Sequence, residues 1–167
     1  MVTLGIDAST TTVGYAFTED KKILEMGFID IKTQKTPKNK TFFVLTQLHK
    51  SPYIDRVEKI NIEDSLSGFM GGRTSQQVIV KLAKFNAILS FVLEDEFQVL
   101  VENINPSTGR KKVLGKARVK GIKSKDYVRE QIEQRFDTKK WCKTTTRGNF
   151  DPRNIDSYDA LVMSLCG

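Results

Sequence analysis

The chain has 167 residues, 39% hydrophobic and 28% charged, with a net charge of +7 and a pI near 9.4. That is enough length for one globular domain with its own core, and too apolar a mixture for a disordered chain. One histidine, His49, and two cysteines without CxxC spacing, Cys142 and Cys166, argue against zinc-finger, His-metal and Ser-His-Asp chemistry. No uninterrupted apolar run approaches the ~20 residues of a membrane span, and no signal-like segment opens the chain. The expectation is a single domain over residues 1–167 that stays in the cytoplasm with reduced thiols and no membrane partner.

Residues 2–7 read as a first strand, and residues 8–12 as a small, hydroxyl-rich turn. Residues 13–18 return as a second strand, residues 19–22 form a polar hairpin turn, and residues 23–31 make a third strand, giving an antiparallel meander. Residues 32–40 are polar, basic and Pro-containing and read as a loop. Phe42, Phe43, Leu45 and Leu48 then suit an amphipathic helix over 41–50 that Pro52 ends. Residues 57–62 are a fourth strand, and residues 65–73 a glycine-rich loop. Thr74 or Ser75 is the expected cap of a long helix to about Glu94, striped by Ile79, Leu82, Asn86, Leu89 and Leu93 and widened by Phe85, Ile88 and Val92. Residues 97–101 are expected as a fifth strand closed by Asn105 and Pro106, followed by a basic loop. Ser124 caps a helix through Phe136, residues 141–149 are irregular, and Asp151-Pro152 starts a last helix to about Leu165. The order β-β-β-α-β-α-β-α-α implies an α/β fold with a five-stranded mixed sheet and helices on both faces.

Four carboxylates stand out in this frame. Asp7 and Glu63 each follow a strand-like apolar run, and Asp156 and Asp159 lie about one helical turn apart on the last helix. Together they form an oxygen-rich, hard-ligand set that suits Mg²⁺, with Mn²⁺ as a substitute. Asp151 reads instead as a helix cap and Asp64 as a solvent-facing neighbour. The segment 109–125 carries Arg110, Lys111, Lys112, Lys116, Arg118, Lys120, Lys123 and Lys125 and no acidic residue, which points to a nucleic-acid backbone. Phe69, with Met70 among glycines just after the fourth strand, is placed to wedge into or stack on DNA bases, or else to tuck into the core; Arg73 is placed to touch phosphate. Asn86, between Leu82 and Leu89, marks a helix face that could pair with its symmetry mate, pack on the sheet, or do both.

The segment from Leu4 to Tyr15, with Asp7 ending a strand and Gly14 opening its return, resembles the first motif of RuvC-type Holliday junction resolvases in the RNase H-like superfamily. Ile62-Glu63 is similar to that family's fourth-strand motif. The run from Gly121 to Val128 is similar to its basic turn into a helix, with Lys125 in the place of its active-site lysine. Asp156-Ser157-Tyr158-Asp159-Ala160-Leu161 resembles its closing helix. The resemblance implies an RNase H-like fold and a homodimeric endonuclease, paired across Leu82, Asn86 and Leu89. Such an enzyme nicks opposed strands of a four-way DNA junction and leaves 5′-phosphates. Two metal ions per site are implied, with Asp7 central, Glu63 completing one shell and Asp156 and Asp159 the other. Ala8-Ser9 replaces the family's Pro-Gly, and residues 141–152 form an insert without a pattern, as in a divergent member such as a viral or phage resolvase.

Three other functions share some of these residues. A broader nuclease for flaps, forks or RNA–DNA hybrids would use the same metal site. A DNA-binding module would keep the basic run without chemistry. Residues 9–12 also suit the phosphate turn of sugar kinases and related ATPases, but those need two such domains around a nucleotide, so no nucleotide cofactor is expected.

Overall fold

The computed structural model describes residues 1–64 and 75–166. Three strands lead the chain: β1 (Val2–Ala8), β2 (Thr12–Glu19) and β3 (Lys22–Asp30). They are followed by α1 (Pro37–Leu48), β4 (Val57–Glu63), α2 (Gln76–Phe97), β5 (Val101–Ile104), α3 (Pro106–Leu114), α4 (Ser124–Glu133) and α5 (Asn154–Ser164). The sheet order is β3-β2-β1-β4-β5. The β1–β2 and β2–β3 pairs are antiparallel, and the β1–β4 and β4–β5 pairs are parallel. The expected mixed sheet, with its opening meander and helices on both faces, is therefore present.

Side-chain alternation along the strands sorts the two faces. Val2, Leu4, Ile6 and Ala8 of β1 share a core with Val13 and Phe17 of β2, Ile60 and Ile62 of β4, Val44 and Leu48 of α1, and Phe85, Leu89 and Leu93 of α2. The opposite face carries α5. It is assembled from what the alternation leaves: Gly5 and Asp7, Gly14 and Thr18, Asn61 and Glu63.

Two glycines decide how closely α5 seats. A Cβ at Gly5 would lie 2.1 Å from the Ala160 carbonyl oxygen, and one at Gly14 would lie 2.0 Å from that of Asp156. Any side chain at either position would hold the helix off the sheet. Polar bonds then secure the far end of α5: Asn61 Nδ2 donates to the Met163 carbonyl at 2.8 Å, and Thr18 Oγ1 to the Ser164 carbonyl at 3.2 Å.

Several boundaries differ from expectation for identifiable reasons. The Thr36 hydroxyl accepts from Asn39 N and Pro37 occupies the first turn, so α1 begins within the lysine-rich stretch expected as a loop. Helix α2 runs on to Phe97 and ends with Gln98 in the left-handed conformation, at φ 52°. The last strand therefore begins at Val101 rather than at residue 97; the apolar run that suggested it includes Leu100, which is 85% exposed. Part of the basic segment is helical. Asn105 Oδ1 accepts from Ser107 N and Thr108 N, Pro106 fills the first position, and α3 follows. Asp151 accepts from Arg153 N, and α5 starts at Asn154, two residues beyond the Pro152 start.

By length and composition α2 would be long and apolar enough to cross a membrane, the one such helix among the described residues. Its apolarity has a different use on one side, where Phe85, Leu89 and Leu93 pack against the sheet.

Candidate metal centre

Strand register creates the site. Ile6 pairs with Ile62 across the parallel β1–β4 ladder, so Asp7 and Glu63 follow side by side at the carboxyl ends of adjacent strands. Both point to the α5 face. Because α5 sits directly on Gly5 and Gly14, its Asp159 is carried into the same recess. Ligand oxygens of Asp7, Glu63 and Asp159 lie within 4.8 Å of one another. Asp156, on the preceding turn of α5, borders the cluster and is held by Lys125, whose Nζ donates to Asp156 Oδ1 at 2.9 Å.

A second cation enters from α3. Arg110 donates to Asp159 Oδ1 from Nη2 at 2.9 Å and from Nε at 3.3 Å, and its Nη2 is 4.0 Å from Glu63 Oε2. Its side chain is only 13% exposed. The sequence suggests a DNA-facing loop for Arg110; the structure buries it against the carboxylates instead. The signal was present in Asn105-Pro106, a helix start that places Arg110 in the second turn of α3. Gly109 lets α3 approach α5 closely, since a Cβ there would meet Met163 Cε at 2.8 Å.

Electrostatics mark the recess as short of positive charge. Burial, then Glu63, Asp159 and Asp156, push the Asp7 carboxyl well above the usual range, against the pull of Lys125. Burial and Asp159 push Glu63 up to about 7, with Arg110 and Lys125 opposing. Burial raises Asp156 despite its bond to Lys125. Burial works against the charge of Arg110, but Asp159 and Glu63 outweigh it and hold the guanidinium more firmly protonated. Among the described residues the four carboxylates face only two cations, Arg110 and Lys125, too few to hold all four ionised. Among the described residues, buried Glu63 Oε2 has no hydrogen-bond partner, only the 4.0 Å approach of Arg110 Nη2. Clustered buried carboxylate oxygens fit a hard divalent cation, which takes oxygen ligands. Asp7, Glu63 and Asp159 are the residues that would hold it.

The other sequence candidates distribute as follows. Lys111, Lys116, Arg118, Lys120 and Lys123 are exposed on α3 and the segment leading to α4. Lys112 is turned away from that surface: its Nζ donates to the Cys166 carbonyl at 2.6 Å, behind the end of α5. Phe69 and Arg73 lie outside the described residues. The α2 residues expected to pair two copies face the core in the single chain. Leu89 is fully buried, Asn86 is 6% exposed with its Nδ2 donating to the Glu63 carbonyl at 3.2 Å, and Leu82 packs against the core. The outward face of α2 instead carries Val80, Ile88 and Phe91, at 50%, 37% and 68% exposure.

No family model matches the sequence, and no curated protein matches it. Solved structures do. RuvC of Thermus thermophilus superposes with a TM-score of 0.67 at 16% identity, covering 99% of this chain and 92% of that one. T. thermophilus RuvC in complex with a Holliday junction substrate gives 0.63 at 15% identity, over 99% and 91%. The yeast mitochondrial Holliday junction resolvase Ydc2 gives 0.62 at 15% identity, over 98% of this chain and 76% of that one. The chain thus has the RNase H-like α/β fold of RuvC.

Proposed function

We propose that this protein is a divalent-metal-dependent endonuclease that resolves four-way DNA junctions, acting as a homodimer. The observation that carries the reading is the convergence of Asp7, Glu63 and Asp159 within 4.8 Å at the ends of two neighbouring strands and on α5. The fold shared with RuvC supports it, as does the basic surface of α3 and its following segment. Magnesium ions bound by this cluster, two per site with Asp156 completing the second, would supply an activated water and a stabilised leaving oxygen.

The chain's own residues take the remaining roles. Asp7, between Glu63 and α5, would hold the cations. Arg110 and Lys125 flank the carboxylates and present positive charge where a phosphodiester's oxygens gain charge during cleavage. Lys111, Lys116, Arg118, Lys120 and Lys123 hold the DNA backbone and set its approach. Phe69 and Arg73, which follow β4 in the sequence, take the roles that the sequence suggests for them: Phe69 stacks on or wedges between bases, and Arg73 contacts a phosphate. Two opposed nicks require two sites related by a two-fold axis. The outward stripe of Val80, Ile88 and Phe91 on α2 is the surface that pairs two copies.

Cleavage of an immobile four-way junction in Mg²⁺, run beside linear duplex, flap and RNA–DNA hybrid with wild type and Asp7→Asn, tests this. Paired symmetric nicks on the junction, lost in the variant, are expected. Preferential cleavage of flaps or hybrids would move the function to a broader nuclease. Absence of any metal-dependent cleavage would leave a DNA-binding module.

A further inference from the structure

The basic segment that precedes the candidate metal centre is not the only one. Residues 32–50 contain Lys32, Lys35, Lys38, Lys40 and Lys50 and no acidic residue. Lys35 and Lys40 line a recess of about 390 Å³ between the start of α1 and α2, together with Thr10, Lys81, Leu82 and Phe85. Lys40 is anchored rather than free: its Nζ donates to the Thr10 carbonyl and stands 5.9 Å from the centre of the Phe85 ring. No carboxylate lines the recess among the described residues. Elsewhere cations on the surface have acidic partners, such as Arg56 with Glu19 and Lys59 with Glu102.

Like charges held together without a counter-ion repel, and an anion between them removes the repulsion. The recess already shows that tension: burial, then the charge of Lys81, lowers the pKa of Lys40. Its position narrows the identity of the anion. Thr10 lies three residues beyond Asp7, so its backbone is at most about 11 Å from that of Asp7. The recess opens at the same end of the sheet as the metal centre, on the opposite face. A strand leaving the carboxylates over this edge would bring a backbone phosphate to Lys40 and Lys81 and lay a sugar or base against Leu82 and Phe85.

We infer that the recess formed by Thr10, Lys35, Lys40, Lys81, Leu82 and Phe85 is a second nucleic-acid subsite that grips the phosphodiester backbone next to the cleavage position. The inference rests on the proposed nuclease function and extends its footprint to the α1–α2 face. The gripped phosphate therefore lies within a few nucleotides of the cut.

The test is junction binding with Ca²⁺ in place of Mg²⁺, titrated over a range of salt, for wild type, Lys40→Gln/Lys81→Gln and a charge-matched control, Lys21→Gln/Lys22→Gln. The control lies in the β2–β3 hairpin, which register places beside Val2, at the opposite end of β1 from Asp7. The recess variant should bind on the order of tenfold more weakly, with a salt slope shallower by about one to two. Ethylation interference should lose its signal at the phosphate beside the cut, and Lys40→Arg/Lys81→Arg should restore it. Thermal melting of each variant checks that it folds. Equal losses in the recess and control variants, or an unchanged slope, would overturn the subsite. So would stabilisation of the free protein by millimolar inorganic phosphate with unchanged DNA affinity, because the recess would then hold a small anion. A wild type that binds linear duplex as well as junction would instead count against the junction-resolving reading, and the subsite would still be tested on the duplex.

Discussion

Gly14 offers the sharpest test of how the metal centre is built. Replacing it with alanine puts a Cβ 2.0 Å from the Asp156 carbonyl oxygen, 2.2 Å from its carbonyl carbon and 2.7 Å from Ser157 N. All three are backbone atoms of α5, so no side-chain rotation relieves the clash. Restoring ordinary contact near 3.5 Å requires α5 and β2 to separate by on the order of 1.5 Å. Overpacking of this kind costs about 1–3 kcal/mol. That exceeds the ~0.4–1 kcal/mol an alanine gains by restricting the unfolded chain. For a domain of this size the net loss corresponds to a fall in Tm of roughly 2–10 °C. Activity should suffer more than stability, because Asp156 and Asp159 travel with the helix. A displacement near 1 Å in a catalytic constellation lowers rate by about 10²-fold. The control is Gly27→Ala on β3, whose Cβ would meet only the Tyr15 side chain, with the hydroxyl at 2.9 Å. Single-turnover junction cleavage and thermal melting should separate the two variants. Wild-type cleavage and Tm in Gly14→Ala would refute the claim that close seating of α5 positions the carboxylates.

Three further outcomes follow from the same geometry. Arg110→Met leaves Asp159, whose side chain is 2% exposed, without its ion-pair partner; melting in EDTA should show a loss of about 3–5 kcal/mol, largely recovered in Mg²⁺, and an equal loss in both conditions would count against a shared cation site. Burial and Asp159 raise the Glu63 carboxyl from 4.5 to about 7, so its ionisation opposes folding. Metal-free stability should fall as pH rises from about 5 through 7, by up to roughly 3 kcal/mol from this group; urea titrations in EDTA should show the fall in wild type and a flatter profile in Glu63→Gln. Phe91→Glu, at a side chain 68% exposed in the single chain, should shift sedimentation from dimer to monomer without lowering the monomer's stability, whereas an unchanged dimer would move the interface off this face of α2.

The sequence made much of the site legible because its carboxylates sit at places with strong local signals. Apolar runs ending in Asp7 and Glu63 reveal strand ends, and a three-residue spacing on a helix reveals a shared face. What it concealed was direction. Helix α2 is apolar on two sides, with Phe85, Leu89 and Leu93 inward and Val80, Ile88 and Phe91 outward. A period near 3.6 locates such stripes without saying which meets the sheet, so the pattern leaves open whether Leu82, Asn86 and Leu89 pair two copies or pack on the sheet. Composition concealed α3 in a similar way: the density of lysine and arginine in 109–125 suggested a loop, although Asn105-Pro106 carries the chemistry of a helix start. Misreading that helix also removed Arg110 from the site, since only a turn of helix docked on α5 brings a guanidinium to Asp159.

Crowding four carboxylates into a recess is unfavourable in itself, and the fold meets that cost with rigidity placed away from the charges. The carboxyl end of α5 is fixed by Asn61 and Thr18, whose side chains donate to the Met163 and Ser164 carbonyls. The middle of the helix is fixed by Tyr158, whose hydroxyl donates to Glu133 Oε1 at 2.8 Å and lies 3.0 Å from Thr138 Oγ1. Its start is fixed by Asn154, which donates to the Lys143 carbonyl at 2.7 Å and to that of Asp151 at 2.9 Å. Residues 141–152, in which the sequence shows no pattern, thus supply the anchor at the start of the helix that carries Asp156 and Asp159, through the Lys143 and Asp151 carbonyls. The repulsion among Asp7, Glu63 and Asp159 therefore acts on a helix that has little freedom to recede. It is expressed in the raised carboxyls of Asp7 and Glu63 rather than as displacement, and a hard cation can relieve it without any rearrangement of the backbone.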